Sequence, residues 1–340
     1  METRILGRTG RPVSVIGLGT WQLGADWGEV DPADARAVLE TSLEAGVTFY
    51  DTAGVYGDGR SERFLGEFLA THPDAGITIA TKLGRRGPQE PANYTLDNFR
   101  SWTSRSRRNL GVDMLDLVQL HCPPTAVYET DTVFDALDTL VDEGAIAAYG
   151  VSVEETAQAL TAIARPTVAT VQIILNAFRL KPLDEVLPAA AHAGVGIIAR
   201  VPLASGLLSA KYTDSTTFAE DDHRTYNRGG EAFDVGETFS GVDFATGVEA
   251  AREFAALVPD GITAAQAALA WIAQLPEVST VIPGARNPEQ ARANAEAGAL
   301  RDLGDDFRRG NPRDLRPPLP GYRALPLVAA RPGSDPAEAR

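Results

Sequence analysis

Ile77-Thr78-Ile79-Ala80-Thr81-Lys82 and Leu115-Asp116-Leu117-Val118-Gln119-Leu120-His121 mark the two ends of one unit of this chain. Each is a short β-rich apolar run that closes on a polar residue. Between them Thr95 opens a helical pattern long enough to carry the chain from one strand to the next. A strand, a crossover helix and a second strand make parallel neighbours. Read outward in both directions, the unit recurs. The strands predicted are Ile16–Gly19, Val47–Asp51, Ile77–Lys82, Leu115–His121, Ala147–Ser152, Thr170–Asn176, Gly196–Val201 and Ser279–Pro283. Helix openings are legible at Asp31-Pro32, Ser61, Thr95 and Asn287-Pro288, with proline at a first helical position where its missing N–H costs nothing.

Eight such strands admit two closures. An open doubly wound sheet calls for G-x-G-x-x-G after its first strand. Gly17-Leu18-Gly19-Thr20-Trp21-Gln22 breaks that pattern at the third glycine. One unbroken series of eight fits a closed (β/α)8 TIM barrel, an α/β fold. Residues 1–309 are expected to form this single barrel domain. Arg4–Val15, with turn residues at Gly7 and Thr9-Gly10-Arg11-Pro12, reads as an N-terminal β-hairpin that plugs the barrel. Tyr212–Asp243, after the seventh barrel strand, is a long polar loop of the kind that is functional or disordered. Residues 310–340 hold seven of the 22 prolines and no helical period, so a poorly ordered tail is expected.

The 340 residues carry 31 Lys+Arg against 46 Asp+Glu, a formal charge of −15, which argues against phosphate-neutralising nucleic-acid binding. Cys122 is the single cysteine, so no internal disulfide implies an oxidising compartment. Met1-Glu2-Thr3-Arg4 does not begin a signal peptide, and no apolar run reaches membrane-spanning length. A cytoplasmic protein without membrane partners is expected, either a monomer or a homo-oligomer. Only Lys82, Lys181 and Lys211 are lysines. A lysine at a strand end therefore calls for a specific reason.

Barrel chemistry sits at the C-terminal strand ends. Here these are Thr20-Trp21, Asp51, Lys82, His121, Ser152, Gln172, Arg200 and Gly284-Ala285-Arg286, with Tyr56 five residues after Asp51. Taken singly, Asp51 reads as a turn cap, Tyr56 as a rim aromatic and His121 as a structural histidine. Together they supply more. Asp51 can pair with the Lys82 ammonium, and a cation beside Tyr56 favours the phenolate and lowers its pKa. Tyr56 then serves as a proton donor and His121 as a steering hydrogen-bond donor. No strong nucleophile and no metal-ligand cluster accompany them. Carbonyl reduction suits such a set, provided another group brings the hydride. A covalent Schiff-base role for Lys82 is the alternative chemistry, opposed by Asp51 as its neighbour.

Phe49-Tyr50-Asp51-Thr52-Ala53-Gly54-Val55-Tyr56-Gly57 with Ser61-Glu62, then Ala80-Thr81-Lys82, then Gln119-Leu120-His121, resembles the aldo-keto reductase family over roughly residues 3 to 298. The resemblance implies a barrel that binds a nicotinamide cofactor without a Rossmann domain. It places a catalytic tetrad on Asp51, Tyr56, Lys82 and His121, with Tyr56 as acid/base. Gly150-Val151-Ser152-Val153 is similar to the family's carboxamide-binding stretch; Ser152 and Gln172 match, and Val153 replaces an amide. Arg200, in Ala199-Arg200-Val201-Pro202-Leu203, stands where many members stack an aromatic on the nicotinamide, a role a guanidinium plane can also fill.

Leu203-Ala204-Ser205-Gly206-Leu207-Leu208-Ser209 matches the family loop over the pyrophosphate. By the same resemblance Thr20, Trp21, Asp51, Pro202, Leu203, Ser205, Gly206, Leu208 and Lys211 join the cofactor site. Pro283-Gly284 permits close backbone approach, the helix from Asn287 offers an anion site, and Arg286 supplies a fork for a phosphate. The family pattern puts the adenosine 2′-phosphate on Arg286 and the adenine on Gln290 and Asn294, which implies NADPH/NADP+ over NADH. The implied protein is an NADP-dependent enzyme reducing a small aldehyde or ketone, with Trp21, Trp27 and residues 217–230 near the substrate. A cofactor-binding sensor or scaffold subunit with slow turnover is the alternative from another class.

Overall fold

The computed structural model describes residues 1–24, 31–304 and 307. Trp27 and the tail from 310 to 340 lie outside the described residues. Two strands, β1 (Thr3–Ile5) and β2 (Pro12–Ser14), pair antiparallel as the expected hairpin. The barrel follows as β3 (Leu18–Gly19), β4 (Phe49–Asp51), β5 (Thr78–Leu83), β6 (Leu117–His121), β7 (Tyr149–Ser152), β8 (Thr170–Ile174), β9 (Gly196–Arg200) and β10 (Val278–Val281). These eight strands are neighbours in chain order, every pair parallel. Closure comes where β3 returns to β10: the Gly17 N–H donates to the Val281 carbonyl (2.8 Å) and the Gly19 N–H to the Pro283 carbonyl (3.0 Å). The fold is a (β/α)8 TIM barrel.

The hairpin covers the N-terminal mouth, as its turn residues suggest. Gly7 adopts φ +48° and presses on the starts of β8 and β9; a Cβ there would lie 2.0 Å from the Gly196 nitrogen. Arg8 caps three carbonyls, of Arg165, Val168 and Ala193, at 2.7–2.8 Å. Leu6 and Val13 then pack with Phe49, Ala80, Leu117 and Ile198 as an apolar floor. Above that floor the pleat carries polar side chains on the same inward face.

Three of the four helix openings hold. Asp31, Thr95 and Asn287 each accept a hydrogen bond from the first turn of their helices, Pro32–Glu44, Leu96–Leu110 and Pro288–Glu296. Ser61 differs. The helix Arg60–Thr71 begins one residue earlier, behind a left-handed Gly59, and the Ser61 hydroxyl turns inward. It bonds the Thr20 carbonyl (3.0 Å) and meets the hydroxyls of Thr20 (2.7 Å) and Thr52 (2.9 Å), tying the first two strand ends together.

The loop after β9 is an ordered strap. It contains the short helix His223–Tyr226 and two tight turns, Val235–Glu237 and Phe239–Gly241. Its polar composition hid a small apolar core, in which Tyr212, Phe218 and Phe239 pack ring against ring with Phe244, the first residue of the following helix. That burial offsets the entropy of ordering a long loop.

Candidate active site

Adjacent parallel strands carry Asp51 at the end of β4 and Lys82 near the end of β5. The Lys82 ammonium spends its N–H groups on Asp51 Oδ1 (2.5 Å), the Thr52 carbonyl (2.9 Å) and Tyr56 Oη (3.2 Å). Since Lys82 donates to the phenol oxygen, the Tyr56 proton is left for another acceptor. Burial pulls the Lys82 pKa down, but Asp51 and Tyr56 outweigh it, and the net direction is up. A lysine held charged in this way is no free amine nucleophile, which removes the Schiff-base alternative.

Tyr56 departs from the sequence expectation in sign. Burial raises its pKa above 10, and the opposing pull of Lys82 does not overcome that rise. The expectation counted the cation and missed desolvation. His121, at the end of β6, stands edge-on to the Tyr56 ring at 5.9 Å between centroids. Burial drives its pKa well below 6.5, with Arg85, Lys82 and Arg200 adding to the effect, so the imidazole is neutral at pH 7. Its buried Nδ1 has no hydrogen-bond partner among the described residues. Trp21 stacks on Tyr56 (6.0 Å) and meets His223 and Phe233 of the strap at 5.4 and 5.8 Å. The four expected catalytic side chains are thus brought together under a lid of aromatic rings.

Ser152, at the end of β7, and Gln172, in the middle of β8, stand side by side, the serine hydroxyl 3.4 Å from the Gln172 Oε1. The Gln172 amide also donates to Asp51 Oδ2 (2.8 Å). Gln119 donates to the same oxygen (3.1 Å). No role was assigned to Gln119 from the sequence. Its signal was there, for it lies two residues before His121 and so shares the inward face.

Arg200 is buried; the edge of its guanidinium pairs with Glu237 of the strap and donates to the Val153 carbonyl (2.9 Å). Thr20 is likewise engaged, its hydroxyl bonded to the Asp51 carbonyl (2.9 Å). Pro202 and Leu208 are buried, Leu203 is half-buried and Lys211 is exposed. Ser205 binds the strap through the Glu237 carbonyl (2.8 Å). In the loop from Val201 to Ala210, Val201, Ala204, Ser205 and Ala210 all adopt left-handed φ of 47–56°, with Gly206 at 97°. Four non-glycine residues in the left-handed region within one loop are a concentration of backbone strain.

The Gln22 side-chain amide lies over Gly284, where a Cβ would come within 2.0 Å of its nitrogen. Asn294 Nδ2 donates to the Gly284 carbonyl (3.1 Å), and Gln290 Oε1 accepts from the Arg286 N–H (2.9 Å). Arg286 is half-exposed beside the N-terminus of helix Pro288–Glu296, with Asp222 of the strap 3.8 Å away. Burial pushes the Asp222 carboxyl up, but hydrogen bonds from Arg224 and His223 win and hold it far below the usual range. The donors thus run along one side of the mouth from an amide-and-hydroxyl pair to an arginine at a helix start. An elongated ligand with a carboxamide at one end and an anion at the other fits this set. Among the described residues no group of three or more His, Cys, Asp or Glu is placed to hold a metal ion.

The sequence profile of the Aldo/keto reductase family matches residues 15–308. The chain belongs to the aldo/keto reductase family. An uncharacterized oxidoreductase of Mycobacterium tuberculosis is 33% identical over 297 residues, covering 85% of each chain. A probable voltage-gated potassium channel subunit beta of Arabidopsis thaliana is 29% identical, covering 87% of this chain and 91% of its own. Among solved structures, the glycerol dehydrogenase of Gluconobacter oxydans superposes with a TM-score of 0.72 at 29% identity, covering 92% of this reductase-family chain and 94% of its own. Among the described residues of the barrel, no helix is long and apolar enough to cross a membrane.

Proposed function

We propose that this aldo/keto reductase family member is an NADP(H)-dependent oxidoreductase that interconverts a small aldehyde or ketone with its alcohol. The observation that carries the reading is the Lys82 ammonium held between Asp51 and Tyr56, with neutral His121 beside the phenol. When bound, the nicotinamide supplies or accepts the hydride. Ser152 and Gln172 would hold its carboxamide, Arg200 would face the ring, and Arg286 with the helix start at Asn287 would take the 2′-phosphate. Gln290 and Asn294 border the adenine end.

The protein's own work is proton transfer and positioning. His121 donates a ring N–H to the substrate oxygen and orients it. The Tyr56 O–H then gives its proton to that oxygen. Lys82 stabilises the phenolate left behind, and Asp51 balances the lysine charge. The raised Tyr56 pKa keeps the phenol protonated at neutral pH, while Lys82 becomes most useful as the proton leaves. In the alcohol-to-carbonyl direction each transfer reverses. Trp21 and the strap exclude water from the reacting atoms. The Gluconobacter relative is named for a polyol, so hydroxylated aldehydes and ketones are the first substrates to screen. A scaffold role, suggested by the plant channel-subunit relative, is less well supported because the whole acid–base cluster is assembled.

The test pairs binding with turnover. Titration of tryptophan fluorescence should show NADPH bound more tightly than NADH, and a carbonyl screen should then find turnover. Tyr56→Phe should lower turnover by about 10²–10⁴-fold with NADPH affinity unchanged. Retained turnover in that variant removes the acid assignment. Arg286→Ala should weaken NADPH on the order of ten- to a hundredfold and NADH far less; equal losses remove the 2′-phosphate role.

A further inference from the structure

The strap brings one acidic side chain into the mouth, and it does so with more anchoring than a surface ion pair needs. Glu237 meets Arg200 at the end of β9, and the pair is buried, with side-chain exposures of 15% and 8%. The Glu237 carbonyl accepts from the Ser205 hydroxyl (2.8 Å), and that hydroxyl also accepts from the Phe239 N–H (3.1 Å). On the other side Gly236 lies so close to Arg179 that a Cβ would come within 1.7 Å of Nη1. A larger residue there would have to push the Arg179 guanidinium aside. Arg179 in turn pairs with Asp234 (3.6 Å) and donates to the Glu154 carbonyl (2.7 Å).

Arg200 is tied to the same locus as Ser152. Its Nη2 donates to the Val153 carbonyl and stands 3.8 Å from Cys122 Sγ, which lies 3.3 Å from the Ser152 hydroxyl. Its buried Nε has no hydrogen-bond partner among the described residues. The guanidinium thus borders the place proposed for the nicotinamide. The oxidised ring carries a positive charge and the reduced ring carries none. A lone guanidinium in a buried site would repel only the oxidised form. A carboxylate beside it cancels that repulsion.

Resting on that cofactor assignment, we propose that Glu237 sets the preference of this site between oxidised and reduced cofactor, by neutralising Arg200 where the two forms differ by one charge. A site can shift an equilibrium only by its differential affinity for the two states. With the pair intact, both forms are accepted and the reaction runs in either direction. Without the carboxylate, the site favours NADPH.

Glu237→Gln keeps the shape and a carbonyl oxygen for Arg200 but removes the charge. Binding of NADP+ and of NADPH, each measured by fluorescence titration and calorimetry, should show the ratio Kd(NADP+)/Kd(NADPH) rising about tenfold. That change corresponds to a bound two-electron midpoint about 30 mV higher. Arg200→Gln leaves the carboxylate alone and should move the ratio the opposite way. The double variant should return it to the wild-type value. If Glu237→Gln does not fold, the sign of the Arg200→Gln shift decides. Equal weakening of both nucleotides in the single variants would make Glu237 a structural anchor only and overturn the proposal. Failure of the wild type to bind either nucleotide would remove the cofactor assignment, and the role of Glu237 with it.

Discussion

The two ends of the barrel interior use the same strands for opposite purposes. Two residues separate floor from mouth: Phe49 from Asp51, Ala80 from Lys82, Leu117 from Gln119 and Ile198 from Arg200. Residues two apart share a face of a strand, so each pair points inward at successive levels. The floor is apolar and sealed by Leu6 and Val13 of the hairpin. At the mouth Asp51, Lys82, Gln119, Gln172 and Arg200 are just as buried, yet every one is polar or charged. Burying such groups is costly unless each finds partners. Asp51 has three, in Lys82, Gln119 and Gln172. The floor holds the strands in register, and the mouth uses that rigidity to keep a costly charge cluster in one geometry.

The sharpest way to break this comparison is to unbalance the mouth. Lys82→Met leaves the Asp51 carboxylate buried beside two amides, and should cost about 3–5 kcal/mol of stability along with turnover. Adding Asp51→Asn should recover much of the stability in a denaturant titration and none of the activity. If the single variant is as stable as wild type, the mouth is not the strained end.

The floor should respond differently. Leu117→Ala opens a cavity beneath the site and should cost about 2–5 kcal/mol. Nucleotide affinity at a temperature where the variant is folded should stay near wild type. A variant that loses binding without losing stability would show that floor and mouth are not separable. This much of the contrast was legible in the sequence, because apolar runs ending in Asp, Lys and His reveal both levels. Ser61 was not, since a helix start and an inward hydroxyl bridge look alike in one dimension.

The smallest effect is a pH dependence. His121 is held neutral by burial, while in the unfolded chain it titrates near 6.5. Below that pH the unfolded state takes up a proton that the folded state refuses, so stability falls as pH drops through this window. His121→Asn should make the decline of the unfolding free energy between pH 7 and 5, measured by denaturant titration, shallower by at most about 1.4 kcal/mol per pH unit. His223, also lowered by burial, leaves a residual slope. An unchanged slope would place His121 in solvent.

What the sequence by itself determined was periodic. Strand and helix repeats dictate a barrel, and a barrel dictates where Asp51, Lys82, His121, Ser152, Gln172 and Arg200 must lie. Tyr56 followed from its place just beyond Asp51. What only the tertiary structure decided lies in groups that meet across long stretches of chain. The strap takes its path from the aromatic core around Phe239, which no local pattern announces. That path delivers Glu237 to Arg200, 37 residues away, and Asp222 to Arg286. It also helps bury the mouth, and desolvation then decides the sign of the Tyr56 shift against the pull of Lys82. Periodicity fixes which way a side chain points along its own strand. Charge pairing and loss of water depend on what arrives from elsewhere.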